Sequence, residues 1–358
     1  MKTQKSKGNL EFVRVTKSNL DRFAGGMSEL EEAVWGRRVD AAYWGWRYFE
    51  NPTGRSTTVV ALRKDRVVGK MGGVCLPMVV GGKQQTVTLV EGLSVIPSER
   101  SWDCLRGLML ASFQESQRDS VLLGFGFATK KWTAIHHKMG LRSLGRTPVW
   151  LGFLDLKRIL KRRSVPDVLA LLGGMAGLFI GVRRERVPLS GVEIQPIERF
   201  DTDTNGLWQT LEPLRWISVV KDASYLRWRY DSCPGYSYRK LAAFRGGRVE
   251  GVAVYSVSRE RKNGYLLELL ADKDDLTVLR RLAVEAIDAM DQEEVGLIAA
   301  SFPPGSAAAQ ALGAFSFKAW GSLFWNIETV LRGSWPEDPS GEGGLKRWNF
   351  SLGDWLYH

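Results

Sequence analysis

Hydrophobic and polar positions in the first 155 residues change repeatedly between a helical period and a strand-like alternation. This pattern predicts two consecutive hairpins between residues 57 and 93, with helices before and after them. Asp40 is expected to cap a short helix that ends before Pro52, because its side chain can accept the free amides of the first turn. The predicted elements are strand 10–15, helix 20–37, the capped helix, strands 57–62 and 67–77, the hairpin of 76–80 and 84–93, helix 101–117, strand 121–128, helix 132–139 and strand 147–154.

The same order of elements is predicted again from residue 193 onwards. A loop at 334–344 is rich in proline, glycine and acidic residues, and the tail 348–354 is a candidate last strand. The pattern predicts an α+β fold that occurs twice. The second set comprises strand 193–197, a helical stretch, strands 241–244, 249–257 and 265–271, helix 276–290, strand 295–300, helix 307–312 and strand 324–331.

A thirteen-residue segment occurs twice, 182 residues apart. Asp40 to Pro52 and Asp222 to Pro234 share seven identical positions, including the triplet Trp-Arg-Tyr. The register continues through the next hairpin, where Ala-x-Arg-x-x-Arg-Val-x-Gly begins at Ala61 and again at Ala243. This period is far longer than the ~20–50 residues of a solenoid unit. The repeat therefore predicts two domains, 1–155 and 191–358, joined by a segment 156–190.

Composition indicates a folded globular chain, with 44% hydrophobic and 25% charged residues. The three cysteines, Cys75, Cys104 and Cys233, are too few and too scattered for a disulfide framework or a zinc site. No apolar stretch follows the first lysines, which argues against a secretory signal. We expect a cytoplasmic protein without a metal, either free in the cytoplasm or peripheral at the inner face of the membrane.

More than half of the net charge of +11 lies in the predicted joining segment. Eight basic and two acidic residues between 156 and 187 flank an uncharged run at 168–182. The run is shorter than the ~20 residues that cross a bilayer. Two interpretations stay open: a connecting helix packed between the domains, or a basic-flanked helix, 157–186, on an anionic membrane surface. No nucleic acid is expected, because no aromatic residues alternate with the basic ones.

Two local motifs, together with the order of elements, resemble the GNAT acyltransferase superfamily. Leu93-Ser-Val-Ile-Pro97-Ser-Glu-Arg100 looks like the central strand ending in Val-x-Pro, followed by the Arg that opens the pyrophosphate loop. His136-His-Lys138-Met-Gly140 looks like the later motif in which an aromatic residue precedes Lys-x-Gly-Phe. The resemblance implies two tandem GNAT-like domains, each a mixed, mostly antiparallel sheet flanked by helices.

The resemblance also implies acetyl-CoA, or another acyl-CoA, as co-substrate. Free amides at the start of a helix would hold its pyrophosphate. Asp103 and Leu105 stand where the family's loop has glycines. In the second copy, Ala271 to Leu276 carries three aspartates and lacks the proline, the arginine and the glycines, so we expect no cofactor there and a structural or substrate-shaping role. The implied cofactor contacts are Leu93, Val95, Arg100, Ser101, Trp102, Asp103, Cys104 and Leu105.

Two side chains of the first copy are candidates for acid–base work. Glu91 lies on the central strand, where many members of the family deprotonate an amine directly or through water. Glu268 stands in the comparable strand of the second copy, which favours a structural role instead. His136 takes the place where the family commonly has a tyrosine that protonates the leaving thiolate; the alternative is an exposed or packed helix residue.

The repeated Trp-Arg-Tyr triplet has two readings. By the resemblance, Trp46, Arg47 and Tyr48 would form the acceptor wall, where an arginine beside rings can bind a carboxylate, a phosphate or a sugar. The alternative is a packing device, which the recurrence in the second copy favours.

These observations lead to one main functional hypothesis and two others. The main one is an acyl-CoA-dependent N-acyltransferase, by expectation an N-acetyltransferase, acting on the amine of a small molecule, an amino sugar or an amino acid. The alternatives are a non-catalytic tandem binding or scaffold protein, and a Fem-type transferase that uses aminoacyl-tRNA.

Overall fold

The structure is a computed structural model. Most of the predicted helix 132–139, including His136, the joining stretches 163–180 and 184–190, and the loop 334–344 lie outside the residues that it describes. The described residues are 10–121, 123–129, 135, 138–162, 181–183, 191–201, 203–211, 215, 217–258, 260, 262–319, 327–333 and 348–354.

The first copy contains most of the helices and strands that its sequence predicts. The main difference is after residue 140, where two short strands replace the single one expected at 147–154. The elements are β1 (Glu11–Arg14), α1 (Leu20–Trp35), α2 (Ala41–Phe49), β2 (Val59–Arg63), β3 (Arg66–Val80), β4 (Lys83–Val95), α3 (Trp102–Arg118), β5 (Leu123–Thr129), β6 (Arg142–Thr147), β7 (Trp150–Phe153) and α4 (Leu156–Arg162).

The second copy repeats this order. Its tail forms a strand of two residues followed by a tight turn, where a longer strand was predicted. The elements are β8 (Glu193–Pro196), α5 (Asp203–Leu211), β9 (Ile217–Val219), α6 (Ala223–Leu226) with a π-helical turn (Arg227–Asp231), β10 (Arg239–Arg245), β11 (Arg248–Val257), β12 (Asn263–Ala271), α7 (Leu276–Gln292), β13 (Leu297–Ala300), α8 (Ala307–Ala314), β14 (Lys318–Ala319), β15 (Ile327–Gly333) and β16 (Trp348–Asn349).

The aspartates that open the repeated segment both cap a helix. Asp40 accepts a hydrogen bond from the Ala42 amide at 2.8 Å, and Asp222 accepts one from the Tyr225 amide at 2.9 Å. An aspartate in this position satisfies an amide that has no partner within the helix. The cap predicted at Asp40 is thus confirmed, and the repeat starts in both copies with the same local device.

Two mixed, mostly antiparallel sheets form the framework, as predicted. The first has the order β1-β2-β3-β4-β5-β15-β6, with β9 alongside β3 and β16 alongside β9. The second has the order β14-β7-β13-β12-β11-β10-β8. Parallel pairs interrupt the antiparallel arrangement, β4 with β5 and β16 with β9 in the first sheet and β12 with β13 in the second.

Each sheet contains strands of both copies, and β9, β15 and β16 of the second copy all lie in the first sheet. β15, from the second copy, lies between β5 and β6 of the first sheet, where Ile327 pairs with both Thr129 and Thr147. β7, from the first copy, lies between β13 and β14 of the second sheet. The predicted domain boundaries at 155 and 190 stay a prediction, but the hydrogen bonding of both sheets crosses them.

The two tryptophans of the repeated triplet meet between the copies. The Trp46 indole N–H donates to the Trp228 carbonyl at 2.7 Å, and the Trp228 indole donates to the Trp46 carbonyl at 2.9 Å. Their rings stack with centroids 5.3 Å apart. Each copy therefore gives and receives the same contact, as in a two-fold symmetric dimer interface. One hydrophobic core extends through this contact into both copies.

The described part of the basic segment packs against the second copy. Arg158 pairs with Asp291 at 2.6 Å, and Arg162 donates to the Glu294 carbonyl at 2.8 Å, so both bind at the C-terminal end of α7. Cations are stabilised at this end of a helix. For these two arginines the contacts favour the connecting-helix reading, whereas the membrane contact through 157–186 stays a prediction. Within the ranges described, none of the helices is both long and apolar enough to span a bilayer.

Candidate functional site

The parallel ladder between β4 and β5 of the first sheet ends while β4 continues, and the unpaired edge of β4 beyond it is here called the cleft. Their ladder pairs Thr88 with Gly124 and Leu89 with Phe125. A side chain on Gly126 would stand 2.6 Å from the Val90 carbonyl oxygen, so this close approach requires glycine. β4 then continues to Val95, and among the residues described no strand pairs with its edge from Val90 onwards on this side.

The edge of β4 leads directly to the start of α3. Leu93 is half-buried and Val95 is buried, and both pack under α3. The exposed Arg100 turns back, and its Nε donates to the Val95 carbonyl at 3.1 Å. Ser101 caps the helix by accepting from the Cys104 amide at 3.2 Å. The free edge of β4, the Arg100 guanidinium and the N-terminus of α3 therefore follow one another along the chain.

The N-terminus of α3 and the loop before it, predicted to hold the pyrophosphate, are here called the phosphate cradle. Some of its amides already have hydrogen-bond acceptors within the chain. The amides of Cys104 and Leu105 donate to the side chain and the carbonyl of Ser101, at 3.2 and 3.1 Å. Those of Trp102 and Asp103 belong to the first turn, whose amides have no acceptor within a helix. These two amides and Arg100 are what remains for an anion, with the exposed carboxylate of Asp103 beside them.

The other side chains of this loop differ in exposure. Trp102 is 44% exposed at the first position of α3, whereas Cys104 is fully buried. Burial raises the pKa of the Cys104 thiol, which disfavours a reactive thiolate there. Leu105 packs against the core under α3 instead of approaching the helix N-terminus.

Glu91 is buried and bound to the arginine of the repeated triplet. Both of its carboxylate oxygens accept hydrogen bonds from Arg47, through Nε and Nη2, and Arg47 also donates to the Tyr43 hydroxyl. The Arg47 and Glu91 side chains are 2% and 4% exposed. Two of the predicted site residues thus come together as one ion pair beside the cleft.

Trp46 and Tyr48 are also buried, with exposures of 2% and 0%. Trp46 is committed to the contact with Trp228. Tyr48 stacks on Trp44 with ring centroids 5.6 Å apart, and burial raises its pKa, so it stays a neutral phenol. Their assignment to the acceptor wall stays a prediction, and the observed contacts are those of a packing device.

A second buried ion pair lies next to the first and was missed in the sequence. Lys70 donates to Glu31 at 2.8 Å, with both side chains 2% exposed, and its ammonium stands 4.0 Å from the centre of the Trp44 ring. Ser94 joins this pair and accepts from the indole of the exposed Trp35 at 2.9 Å. A glutamate on the apolar face of α1 was the available signal, since unpaired carboxylates are rarely buried.

The second copy has a carboxylate at the same place in its sheet. Gly72 pairs with Glu91 across β3 and β4, and Val254 pairs with Glu268 across β11 and β12. Here the partner is Lys221, at 2.7 Å, and the Tyr230 hydroxyl donates to Glu268 at 2.7 Å. Burial raises the pKa of Glu268. Both copies thus have a buried carboxylate at this place, which is bound to Arg47 in the first copy and to Lys221 in the second.

In the second copy, two aspartates of the loop that corresponds to the phosphate cradle are paired with arginines. Arg215 donates to both oxygens of Asp274, at 2.7 Å each, and Arg248 donates to Asp272 at 2.9 Å. Lys273 and Asp274 have left-handed backbone conformations there. The expectation that the second copy holds no pyrophosphate stays a prediction. His136 lies outside the described residues, and within those residues no three His, Cys, Asp or Glu side chains cluster as metal ligands would.

Comparison with known proteins connects this arrangement to one family. Residues 14–142 match the acetyltransferase (GNAT) domain family. No curated protein matches the sequence. Among solved structures, a GCN5-related N-acetyltransferase from Anabaena variabilis has a TM-score of 0.61 at 11% identity, covering 90% of this chain and 72% of that one.

Two other solved structures share the fold over similar lengths. A probable N-acyltransferase from Enterococcus faecalis has a TM-score of 0.61 at 10% identity, covering 90% of this chain and 72% of that one. N-myristoyltransferase of Saccharomyces cerevisiae, solved with bound myristoyl-CoA, has a TM-score of 0.61 at 13% identity, covering 96% and 85%. The family match thus covers the first copy, the chain shares its fold with these solved acyltransferases, and its two sheets fit a tandem arrangement of that fold.

Proposed function

We propose that the protein is an acyl-CoA-dependent N-acyltransferase whose first copy binds the acyl-CoA. The observation that carries the proposal is the end of the β4–β5 ladder at Leu89 and Phe125, with the free edge of β4 leading to Arg100 and the first amides of α3. The pantetheine arm would run along Leu93 to Val95, and the pyrophosphate would meet the amides of Trp102 and Asp103. The acceptor is an amine of a small molecule, an amino sugar or an amino acid, and the acyl group is by preference acetyl.

The proposed reaction uses two groups of the first copy. Glu91 takes a proton from the amine, through a water because only 8% of the residue is exposed. The amine nitrogen then forms a bond to the thioester carbon, and the carbon–sulfur bond breaks. His136 gives a proton to the departing thiolate, a role that rests on its place in the sequence motif.

Arg100 supplies the first test. Removing a guanidinium that contacts a phosphate costs about 1.5–3 kcal/mol, which is roughly 10- to 150-fold in affinity. We expect Arg100→Ala to weaken coenzyme A binding by at least ~10-fold in isothermal titration calorimetry. Arg118→Ala at the far end of α3, where Arg118 pairs with Glu115, is the matched control and should bind as the native protein does. Absence of coenzyme A binding to the native protein would overturn the proposal.

Glu91 supplies the second test. Glu91→Gln keeps the shape but cannot accept the proton, so kcat for acyl transfer should fall ~100-fold or more while coenzyme A still binds. Asp119→Asn is the control, since Asp119 is also an ion-paired acid of the first copy, bonded to Arg14, but lies away from the cleft. Unchanged kcat in Glu91→Gln would remove Glu91 from the mechanism and favour a structural carboxylate.

A non-catalytic binding protein is the second candidate. It is favoured by the loop at α3, where Asp103 adds a negative charge and the amides of Cys104 and Leu105 are already bonded within the chain. Under this candidate, Glu91→Gln and His136→Ala leave the cellular function intact. A loss of that function in variants that fold normally speaks for catalysis.

A further inference from the structure

The C-terminal segment 348–354, here called the strap, contacts both copies. Trp348 and Asn349 form β16, which pairs in parallel with β9, and β9 extends the first sheet next to β3. The following residues enter the second copy and end beside its buried Glu268. Trp348, Phe350, Ser351 and Asp354 are all at most 3% exposed. These residues of the strap are thus buried inside the protein.

Its far end is anchored by buried charges of the second copy. The Lys221 ammonium donates to Asp354 at 3.1 Å and to the Ser351 hydroxyl at 2.6 Å, while holding Glu268 at 2.7 Å. The Tyr225 hydroxyl donates to Asp354 at 3.0 Å. Charge-assisted hydrogen bonds away from water are strong, so the anchor fixes the position of the strap.

Gly353 is the point where the strap comes closest to Glu268. A side chain at this position would stand 1.9 Å from the Tyr230 hydroxyl oxygen and 2.6 Å from Oε1 of Glu268. Arg229 donates to the Gly353 carbonyl at 3.1 Å. Only glycine allows this approach. Any larger residue must therefore displace the strap or the Tyr230–Glu268 hydrogen bond.

The near end of the strap packs on the first copy where its cleft begins. The Trp348 ring lies 5.7 Å from Phe125, and the Phe350 ring lies 6.2 Å from Phe127, measured between centroids. Phe125 is the last residue of β5 that pairs with β4. Side chains alternate along a strand, so Glu91 lies on the same face of β4 as Leu89, which shares a core with Phe125 and Phe127.

We propose that Trp348 and Phe350 are positioning residues for the first copy, held in place by the second. This inference rests on the proposed function and gives the second copy a part in it. The copy without a cofactor loop anchors the strap, and the strap sets where the β4–β5 ladder ends. Displacement of the strap shifts the cleft beside Glu91. It leaves Arg100 and the start of α3 in place, because Trp348 and Phe350 belong to one hydrophobic cluster and α3 packs in another.

Two glycine variants of the second copy separate this role from general stability. Gly353→Ala inserts a methyl group into the anchor, whereas Gly313→Ala, in α8, meets nothing within 4 Å and serves as the control. We expect Gly353→Ala to lower kcat by ~10-fold or more, since small displacements of reacting groups have effects of this size. The dissociation constant of coenzyme A should stay within about 2-fold, because the phosphate contacts are not displaced. Gly313→Ala should match the native protein in both.

Hydrogen exchange at residues 124–127 is the second readout and needs no substrate. Faster exchange there in Gly353→Ala, with α7 unchanged, supports the coupling. Native exchange together with native kcat overturns it. If the native protein binds no coenzyme A, the proposed function fails, and exchange at 124–127 still decides whether the strap positions β5.

A second pair of variants covers the case in which Gly353→Ala does not fold. Phe350→Ala removes the ring that faces Phe127, and Phe350→Leu restores most of the buried volume. We expect a loss of kcat in the first and its recovery in the second, with coenzyme A binding retained in both. Equal kcat in Phe350→Ala and the native protein contradicts the positioning role.

Discussion

Replacing Arg47 with methionine is expected to lower the free energy of unfolding by about 3–5 kcal/mol, because the change leaves the Glu91 carboxylate buried without its cation. Both oxygens of Glu91 are bonded to Arg47, and the pair is almost completely removed from water. A charge in this position has no means of recovering its hydration without opening the packing of α2 on the first sheet. Urea denaturation followed by circular dichroism measures the difference.

The second copy offers a control with the same substitution at the same place in the repeat. Arg229 is equally buried, but its hydrogen bonds go to the Gly353 carbonyl and the Tyr238 hydroxyl. Arg229→Met therefore leaves neutral acceptors, and we expect a loss of about 1–3 kcal/mol. The double variant Arg47→Met with Glu91→Met should recover part of the loss, since two apolar side chains can replace a buried pair. Equal losses of unfolding free energy for Arg47→Met and Arg229→Met would show that the unpaired Glu91 carboxylate is not the cause of the destabilisation.

Removing either tryptophan of the contact between the copies is expected to cost about 3–5 kcal/mol, as for other large buried side chains. Trp46→Ala removes the stacked ring and the hydrogen bond to the Trp228 carbonyl, but the carbonyl of residue 46 still accepts from Trp228. Trp228→Ala removes the reciprocal half. The double variant should lose less than the two singles together, because each single change already destroys the stack that they share.

Trp35→Ala is the control for these variants. Trp35 is 55% exposed and has one hydrogen bond to Ser94, so the expected loss is about 1 kcal/mol. Thermal unfolding of the four variants and of the native protein gives the comparison. Strict additivity of Trp46→Ala and Trp228→Ala would mean that the two rings do not stabilise one common contact.

The sequence was sufficient for local structure and for the repeat, and the reason is physical. The cap at Asp40, the hairpin turns and the helices depend on residues close together in the chain, which periodicity and turn chemistry report. The identity of Trp46 with Trp228 now has a cause, because each donates to the carbonyl of the other. A symmetric contact requires the same residue on both sides.

The partners of the buried charges were beyond sequence reasoning. Nothing in the pattern distinguishes Arg47, which holds Glu91, from Arg229, which holds the Gly353 carbonyl. Nor does the pattern show that Asp354 binds Lys221, which lies 133 residues earlier in the sequence. These pairings depend on segments that are far apart in sequence, and a residue type by itself fixes no long-range contact. For the same reason the candidate site was found as a strand and a helix start, without the ion pair beside it.

The place of β15 in the first sheet has a consequence for synthesis on the ribosome. Proteins generally fold from the N-terminal domain onwards as the chain emerges, at about 5–20 residues per second. The first sheet receives its β15 strand only when Ile327 follows, roughly 200 residues after Thr129, which takes roughly 10–40 s. Throughout that interval the edge of β5 presents unpaired amides and carbonyls, the kind of edge that pairs with other chains. The N-terminal sheet therefore cannot be completed before Ile327–Gly333 has been synthesised.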